Sequence, residues 1–562
     1  MTIYTRGGFA YPNTSLAFKT GTWRVQKPRH IHTTAPCHGA CPAGEDPQAY
    51  LALVDAGRIK EAWENLVKAN PLPAITGRVC HHPCEAACNR GQYDEAVGIH
   101  NVERFLGDQA IEHGWQYPVS RPAVDAPRIA VVGAGPAGLS AAYHLLRNGL
   151  NVTLYTALSE PGGTLHAIPG YRLPADVIKA ETERLLQTGF DFQPNQRLGR
   201  DIYLNDLRDN FAAVFIAVGT QQGKEWSVGG VVPHDLHNGL QLLKGWMSIG
   251  TVPCAKSAVV VGGGNTAIDL ARVLKRADVP EVHLITHNGL PGQDTPPEDA
   301  MSANPREIEQ ALEEGVTIHS HRGIRRLILR GEHVVGVEMV HMKKLPNAQG
   351  KLERVAFEGT ETVLHVDQVI PAIGQVVNPA GLEILLNGKH HISVDHWGRT
   401  PDQAGVYAGG DASRGGKGSV TAAVGDGRRA AEAIARQLRG ESTAAPVDIK
   451  SLSYERLNLH YYKHAPRIEH TTLPVEQRLK EEEVEGGLDT VQATAESLRC
   501  FSCGNCLACD NCWTLCPDNA VLKTKEIAAD GSHYVFDYDY CKGCGLCAHE
   551  CPCGFIQMEA DL

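Results

Sequence analysis

The sequence predicts a multidomain chain: two doubly wound α/β domains, one inserted in the other, with a small α-helical domain on the N-terminal side and a small α+β domain at the C-terminal end. Three observations predict it. Two strand, glycine-turn, helix units lie about 130 residues apart, return motifs of the first unit follow the second, and nearly all of the 17 cysteines crowd into the two ends.

The first unit spans 128–163. Ile129 to Val132 is an apolar run, and Gly133-Ala134-Gly135-Pro136-Ala137-Gly138 then falls on the G-x-G-x-x-G template that opens a helix over 137–148. The first glycine allows the tight turn. The second lets backbone approach a pyrophosphate, and the third lets helix sit close on strand, with its N-terminal amides facing the phosphates. Residues 151–155 alternate as the next strand, which is the pattern of a Rossmann-like dinucleotide-binding domain. That strand ends on Thr156, where an Asp or Glu is expected, and its hydroxyl offers a ribose a weaker hydrogen bond than a carboxylate.

The second unit begins at Ser257: a strand, Gly262-Gly263-Gly264-Asn265-Thr266-Ala267, a helix, and a strand at 282–287. Between the units, 211–220 reads as a buried strand ending in the small-residue turn Gly219-Thr220. After them, 367–377, with Ala372, Ile373 and Gly374, reads as the return strand of the first domain. GVYAGGDASRGGKGSV supplies Gly410 and Asp411, and a helix starts at about Ser419 and Val420. Two dinucleotide sites in this order imply FAD exchanging electrons with a nicotinamide. Cys254 has no C-x-x-C partner, which excludes a paired-cysteine relay and leaves it a buried, inert thiol.

The net charge of −11 argues against nucleic acid or an anionic membrane as partner. No run of 18 apolar residues and no signal pattern occurs, so the expected location is the cytoplasm. Five cysteines lie between 37 and 88 and eleven between 500 and 553, at short spacings that favour metal ligation over disulfides. Residues 1–36 show no periodicity and are expected to wrap a surface. From Asp46 apolar residues recur at helical spacing until Asn70-Pro71, bracketed by Cys37 and Cys41 before and Cys80, Cys84 and Cys88 after. Spacing alone leaves an inert core, zinc or iron–sulfur open for these five.

The C-terminal runs are more specific. Cys506-x2-Cys509-x2-Cys512-x3-Cys516-Pro517 and Cys541-x2-Cys544-x2-Cys547-x3-Cys551-Pro552 are two ferredoxin runs, in which the last cysteine of each ligates the other cubane. The expected sets are Cys506, Cys509, Cys512 and Cys551, and Cys541, Cys544, Cys547 and Cys516. Zinc, which usually takes ligands in two pairs, fits this pattern poorly. Cys500, Cys503 and Cys553 are surplus.

Cys41-Pro42, NPLPAITGRVC and CEAACNRG resemble the iron–sulfur domain of the glutamate synthase small subunit and of the first half of dihydropyrimidine dehydrogenase, and GGTLHAIPGYRLP resembles a segment of the same family. The resemblance implies a 4Fe-4S cluster on Cys41, Cys80 and Cys84, with Glu103 in the place of the fourth ligand. It implies a second cluster of which only Cys37 and Cys88 are present, with Arg29 and His32 where the family has cysteines. It places Gly163, Thr164, Arg172, Leu198, Gly219 and Thr220 near the flavin and gives Gly410 and Asp411 the flavin ribitol and phosphate. NADP-using members carry an Arg pair after the second unit's second strand. This chain has His287 and Asn288, which favours NAD over NADP.

The expected domains are 1–125, helical iron–sulfur; 126–252 with 366–442, FAD-binding; 253–365, NAD(P)-binding; 443–490, linker; and 491–562, two-cluster ferredoxin. The expected function is an NAD(P)-dependent iron–sulfur flavoprotein oxidoreductase. Its partners would be iron–sulfur subunits or a ferredoxin, with a 2-oxoacid:ferredoxin oxidoreductase as the candidate complex. A glutamate synthase small subunit and a non-catalytic electron-transfer scaffold are the alternatives.

Overall fold

Apolar runs flanked by helices on both sides dictate two parallel sheets. A computed structural model of the chain describes residues 4–6, 15–228, 230, 232–253, 255–292, 295–386, 388, 390–414, 418–443, 450–479, 483–525 and 532–561. Cys254 lies outside them. The first sheet has five parallel strands in the order Val406–Ala408, Ala213–Ile216, Arg128–Val132, Asn151–Tyr155, Asp191–Gln193. Strand order reverses at Arg128–Val132, so the glycine turn that follows it opens into the crevice at a topological switch point.

The second sheet orders Thr317–His319, Glu281–Ile285, Ser257–Val261 and Gln368–Pro371, again parallel. Here the structure departs from the sequence reading of 367–377. Gln368–Pro371 pairs with Ala258 to Val261 and completes the inserted domain, and the chain rejoins the first sheet only at Val406–Ala408. A short apolar run fits either sheet, and nothing in its composition selects one. A three-stranded antiparallel sheet, Arg322–Arg330, His333–Pro346 and Leu352–Leu364, is built onto the inserted domain.

In the N-terminal domain Asp46 caps the helix Pro47–Asp55 by accepting from the Ala49 amide at 3.2 Å. Helices Pro73–Val79 and Ile99–Glu112 then meet backbone to backbone. A Cβ on Gly77 would lie 2.5 Å from the Arg104 nitrogen, and one on Gly107 2.2 Å from that of Ala74.

The first 36 residues do more than wrap a surface. Tyr4–Arg6 pairs antiparallel with Val521–Thr524, and Gln26–His30 with Ile556–Ala560, so the N-terminal segment supplies strands to the C-terminal module. Those segments lack alternation because each is a short edge strand. The stretch read as a linker is docked as well: Glu483 pairs with Arg78 at 2.8 Å and Arg104 at 2.9 Å, Glu485 with Arg306 at 2.8 Å, and the Val484 amide donates to the Tyr171 carbonyl. Among the described residues no helix is long and apolar enough to cross a membrane.

Helix Val420–Leu438 joins the two halves of this arrangement. A Cβ on Gly427 would lie 2.2 Å from the Ala137 carbonyl oxygen, and one on Gly425 1.9 Å from that of Pro42. Gly425→Val should therefore force Cys41-Pro42 away. Overpacking of this kind costs about 1–3 kcal/mol, so the expected result is a lowered unfolding midpoint and loss of N-terminal iron before flavin, measured by calorimetry and by iron-to-flavin ratio.

Candidate functional site

The two glycine turns differ in what surrounds each glycine. Gly133 has φ +111°, and a Cβ there would lie 2.2 Å from the Ala217 oxygen; one on Gly138 would lie 1.7 Å from the Gly133 oxygen. Both are glycine because protein is in the way. At Gly135 a Cβ would meet only the Gly162 oxygen, at 4.0 Å, so the space beside the N-terminus of helix Pro136–Arg147 is open. That opening, with amides facing it, fits a pyrophosphate. Gly163 closes one side of it, where a Cβ would come 2.9 Å from the Gly135 Cα, and the Gly162 amide donates to the Ala134 carbonyl. Thr156 is buried at the end of its strand.

Gly410 abuts Ala137, and Asp411 accepts from the Gly418 amide at 3.2 Å with the Thr220 hydroxyl beside it. Burial raises the Asp411 carboxyl above its usual range. Ser419 caps the following helix through the Ala422 amide at 3.1 Å, placing Val420 in its first turn. Gly219 precedes Thr220 with φ +66°. Leu198 stands apart, in the apolar core with Ala130 and Val132.

Arg172 is held by Asp269 at 2.7 Å and Glu307 at 3.1 Å, both in the inserted domain. The charge pair ties the two dinucleotide domains together.

In the second turn Gly262 has φ +149° and its Cβ would lie 2.4 Å from the Ala372 oxygen, whereas one on Gly264 would meet only Ser302 Oγ at 3.5 Å. The second glycine again faces open space. Ala372, and with it Ile373 and Gly374, follows the last strand of this sheet, so this segment borders the second turn. Asn265 bonds His81 of the N-terminal domain at 2.8 Å, next to Thr266 and the buried Ala267. Asn288 Nδ2 donates to the Asp299 carbonyl at 3.1 Å. Burial, then Arg354 and Lys344, push His287 down to about 4. Those two cations, from the antiparallel sheet, escaped the sequence reading because more than fifty residues separate them from His287. Arg306 is engaged by Glu485 and His470.

Cys41, Cys80, Cys84 and Glu103 converge beneath helix Val420–Leu438, where Thr421 lies against the Cys80 thiol. Glu103 Oε1 accepts from Asn70 Nδ2 at 3.0 Å and from the Thr76 hydroxyl, and burial followed by Glu45 pushes its carboxyl well up. Glu45 is a member the sequence reading missed. It is buried, shares Asn70 at 2.8 Å, and is raised to about 7 by burial. Its position four residues after Cys41 was the available signal. Three thiols and two carboxyls in one buried space suit a cationic iron core, since unpaired buried anions are costly.

Cys506, Cys509, Cys512 and Cys551 line one cavity, with Tyr534 and Phe555; Cys516, Cys541, Cys544 and Cys547 line another. Each cavity thus draws its last cysteine from the opposite run. Arg29 pairs with Glu559 at 3.3 Å, and the His32 ring meets the edge of Phe555 at 4.8 Å.

Two substitutions separate structural from ligand roles. Arg172→Ala should leave flavin stoichiometry unchanged and lower the unfolding midpoint, because stripping the partner from buried Asp269 and Glu307 costs about 3–5 kcal/mol. Glu103→Ala should shift or abolish one paramagnetic signal at normal flavin content; lost flavin with all signals intact would contradict a ligand role.

A family described as pyridine nucleotide-disulphide oxidoreductase matches 127–427. The domain II 4Fe-4S cluster family of dihydropyrimidine dehydrogenase matches 24–115, and a 4Fe-4S dicluster domain matches 505–555. The beta subunit of the NADP(+)-dependent formate dehydrogenase of Moorella thermoacetica is 34% identical over 514 residues, covering 84% of this chain and 70% of that one. The NADPH-Fe(3+) oxidoreductase beta subunit of Geobacter sulfurreducens is 32% identical over 87% of this chain and 78% of its own. The glutamate synthase [NADPH] small chain of Escherichia coli is 32% identical over 74% and 92%. The chain carries sites for FAD, a nicotinamide dinucleotide and 4Fe-4S clusters at both ends, and it belongs to the pyridine nucleotide-disulphide oxidoreductase family, as an NAD(P)-dependent iron–sulfur flavoprotein related to the glutamate synthase small chain.

Proposed function

We propose that this chain is the NAD-linked subunit of a cytoplasmic complex in which a 2-oxoacid:ferredoxin oxidoreductase is the iron–sulfur partner, the two exchanging electrons through the C-terminal module. One observation carries the internal path: helix Val420–Leu438 touches the first glycine-turn helix at Ala137 and the Cys41 loop at Pro42. When bound, FAD supplies the exchange between two-electron hydride chemistry with the nicotinamide and one-electron chemistry with the clusters.

The protein's part is placement. The amides at the start of helix Pro136–Arg147 hold a pyrophosphate, Thr156 offers its hydroxyl to a ribose, and the Arg172 pair fixes one dinucleotide domain against the other. Buried Cys80, Cys84 and Glu103, with half-buried Cys41, limit water at the step between flavin and iron. At the far end Cys509 and Cys544 are exposed, which puts the C-terminal cavities where a partner can reach them.

The preference for NAD rests on His287, at the end of the second unit's second strand, where a 2′-phosphate would call for arginine. With its pKa held down to about 4, the imidazole is neutral above about pH 5 and adds no positive charge for a 2′-phosphate. The ratio of kcat/KM for NADH over NADPH should exceed ten and stay flat from pH 6 to 8.5. An ordinary histidine would let NADPH gain as pH falls through 6.5. A tenfold advantage for NADPH would overturn the assignment and would point to Lys344 and Arg354 as the cations.

The partner is tested by anaerobic purification from the native source. A copurifying subunit set that reduces NAD with a 2-oxoacid and coenzyme A is the expected result. Copurification instead with a glutamate synthase large subunit or a formate dehydrogenase would replace the proposed partner.

A further inference from the structure

Among the described residues Cys37, Cys88, Cys500, Cys503 and Cys553 are left over once three ligand sets have been assigned; Cys553 lies against Cys551, and the other four come from opposite ends of the chain. The fold brings them together. Cys37 and Cys503 pack in one apolar cluster with Ala35, Leu452 and Phe501, and Asn89, next to Cys88, directs its Nδ2 at Cys503 Sγ, 3.5 Å away. Gln48 Nε2 donates to the Cys503 carbonyl at 2.9 Å, and the Leu452 amide to the Thr34 carbonyl at 3.0 Å, so the C-terminal segment is fastened to the N-terminal helices on both sides of the thiols. Burial and then the nearby Cys500, Cys88 and Cys503 push the Cys37 thiol well up, and Cys503 and Cys88 in turn lie near Cys500.

The backbone supplies a second, independent observation. In the ferredoxin run Cys506-Leu507-Ala508-Cys509-Asp510, the residue two after the first cysteine and the residue just after the second are left-handed: Ala508 at φ +54° and Asp510 at +66°. The other run repeats it with Gly543 at +74° and Gly545 at +80°. Cys500-Phe501-Ser502-Cys503-Gly504 has the same pattern, Ser502 at +51° and Gly504 at +74°. Positive φ is uncommon outside glycine, and its recurrence at Ser502 marks a function of the loop. Such turns point successive amides inward at an anion. The Ser502 amide indeed donates to Cys500 Sγ at 3.4 Å, as the His82 amide does to Cys80 at 3.3 Å and the Ala520 amide to Cys516 at 3.2 Å.

We propose that Cys37 and Cys88 of the N-terminal domain and Cys500 and Cys503 of the C-terminal module bind a fourth 4Fe-4S cluster, an electron relay whose ligands come half from each end of the chain. The C-x-x-C pair at 500–503 does the work of the two upstream cysteines that are Arg29 and His32 here. The site lies between the other sets. Cys37 and Cys41 stand at the two ends of one helical turn, as do Cys84 and Cys88. On the other side Cys503 and Cys506 are three residues apart, at most about 11 Å between their Cα atoms. Tyr462 bridges that gap: its hydroxyl donates to the Phe501 carbonyl at 2.8 Å, and its neighbours are Cys553, Cys503, Cys500 and Cys551. Zinc would suit four thiols equally well, but the loop's ferredoxin-type backbone and its place in series between redox centres favour iron.

The inference goes beyond the proposed function, and the iron count that tests it does not depend on partner or coenzyme. The full-length protein, purified without oxygen, should hold about sixteen irons per chain, four per cluster. Cys500→Ser/Cys503→Ser should lower that by a quarter, to about twelve, and remove one paramagnetic signal of the reduced protein. Flavin content and the rate of flavin bleaching by NADH should stay unchanged, while reduction of the C-terminal clusters slows at least tenfold. Cys88→Ser should produce the same loss from the other domain, which keeps the test open if the double variant misfolds. About twelve irons in the unaltered protein, one zinc per chain, or sixteen irons retained in the variants would each overturn the proposal.

Discussion

The structure depends on helices that approach until their backbones touch. Gly425 and Gly427 bring helix Val420–Leu438 within reach of Pro42 and Ala137, and Gly77 and Gly107 bring together the two helices that carry Glu103 and lead into Cys80. Side chains of ordinary size would hold these elements farther apart. Close backbone approach therefore sets the distance between the flavin cradle and the first cysteine set, and every downstream separation is measured from it.

Such close packing buries anions, and the chain surrounds them with guanidinium groups. Arg90 pairs with Asp94 at 2.7 Å and reaches the Arg499 carbonyl, Arg499 pairs with Glu496 at 2.6 Å and reaches Asp94 at 3.4 Å, and Arg467 pairs with Glu85 at 2.8 Å, so these groups link the N-terminal helices to the segment 463–503. Pairs this buried contribute little net stability, because desolvation offsets attraction. Their directional fork geometry instead specifies how the docked segment sits, and that segment carries Cys500 and Cys503.

What could be read from the sequence follows from how local each signal is. The glycine turns and the ferredoxin runs are complete within a dozen or so residues, so Gly133 to Gly138, Gly262 to Ala267 and the eight C-terminal cysteines stand out without a fold. The grouping of Cys41, Cys80, Cys84 and Glu103 needed a family resemblance, because a helical hairpin separates its members. Cys500 and Cys503 resembled spare thiols, since their neighbours at 37 and 88 lie over four hundred residues upstream. The strand Gln368–Pro371 misled for a different reason: a parallel strand buried on both faces looks alike in any sheet. Tyr4–Arg6 and Gln26–His30 escaped notice as strands because their partners are at the opposite end of the chain.

That last feature bears on how the protein is made. Gln26–His30 is synthesised more than five hundred residues before its partner Ile556–Ala560. At about 5–20 residues per second, the early strand waits on the order of half a minute to two minutes before it can pair. Through that interval Cys37 and Cys88 lack the C-terminal thiols that meet them in the fold. A product cut short before Ile556 lacks the strand that pairs with Gln26–His30, so this edge of the C-terminal module closes only on chains that have reached it.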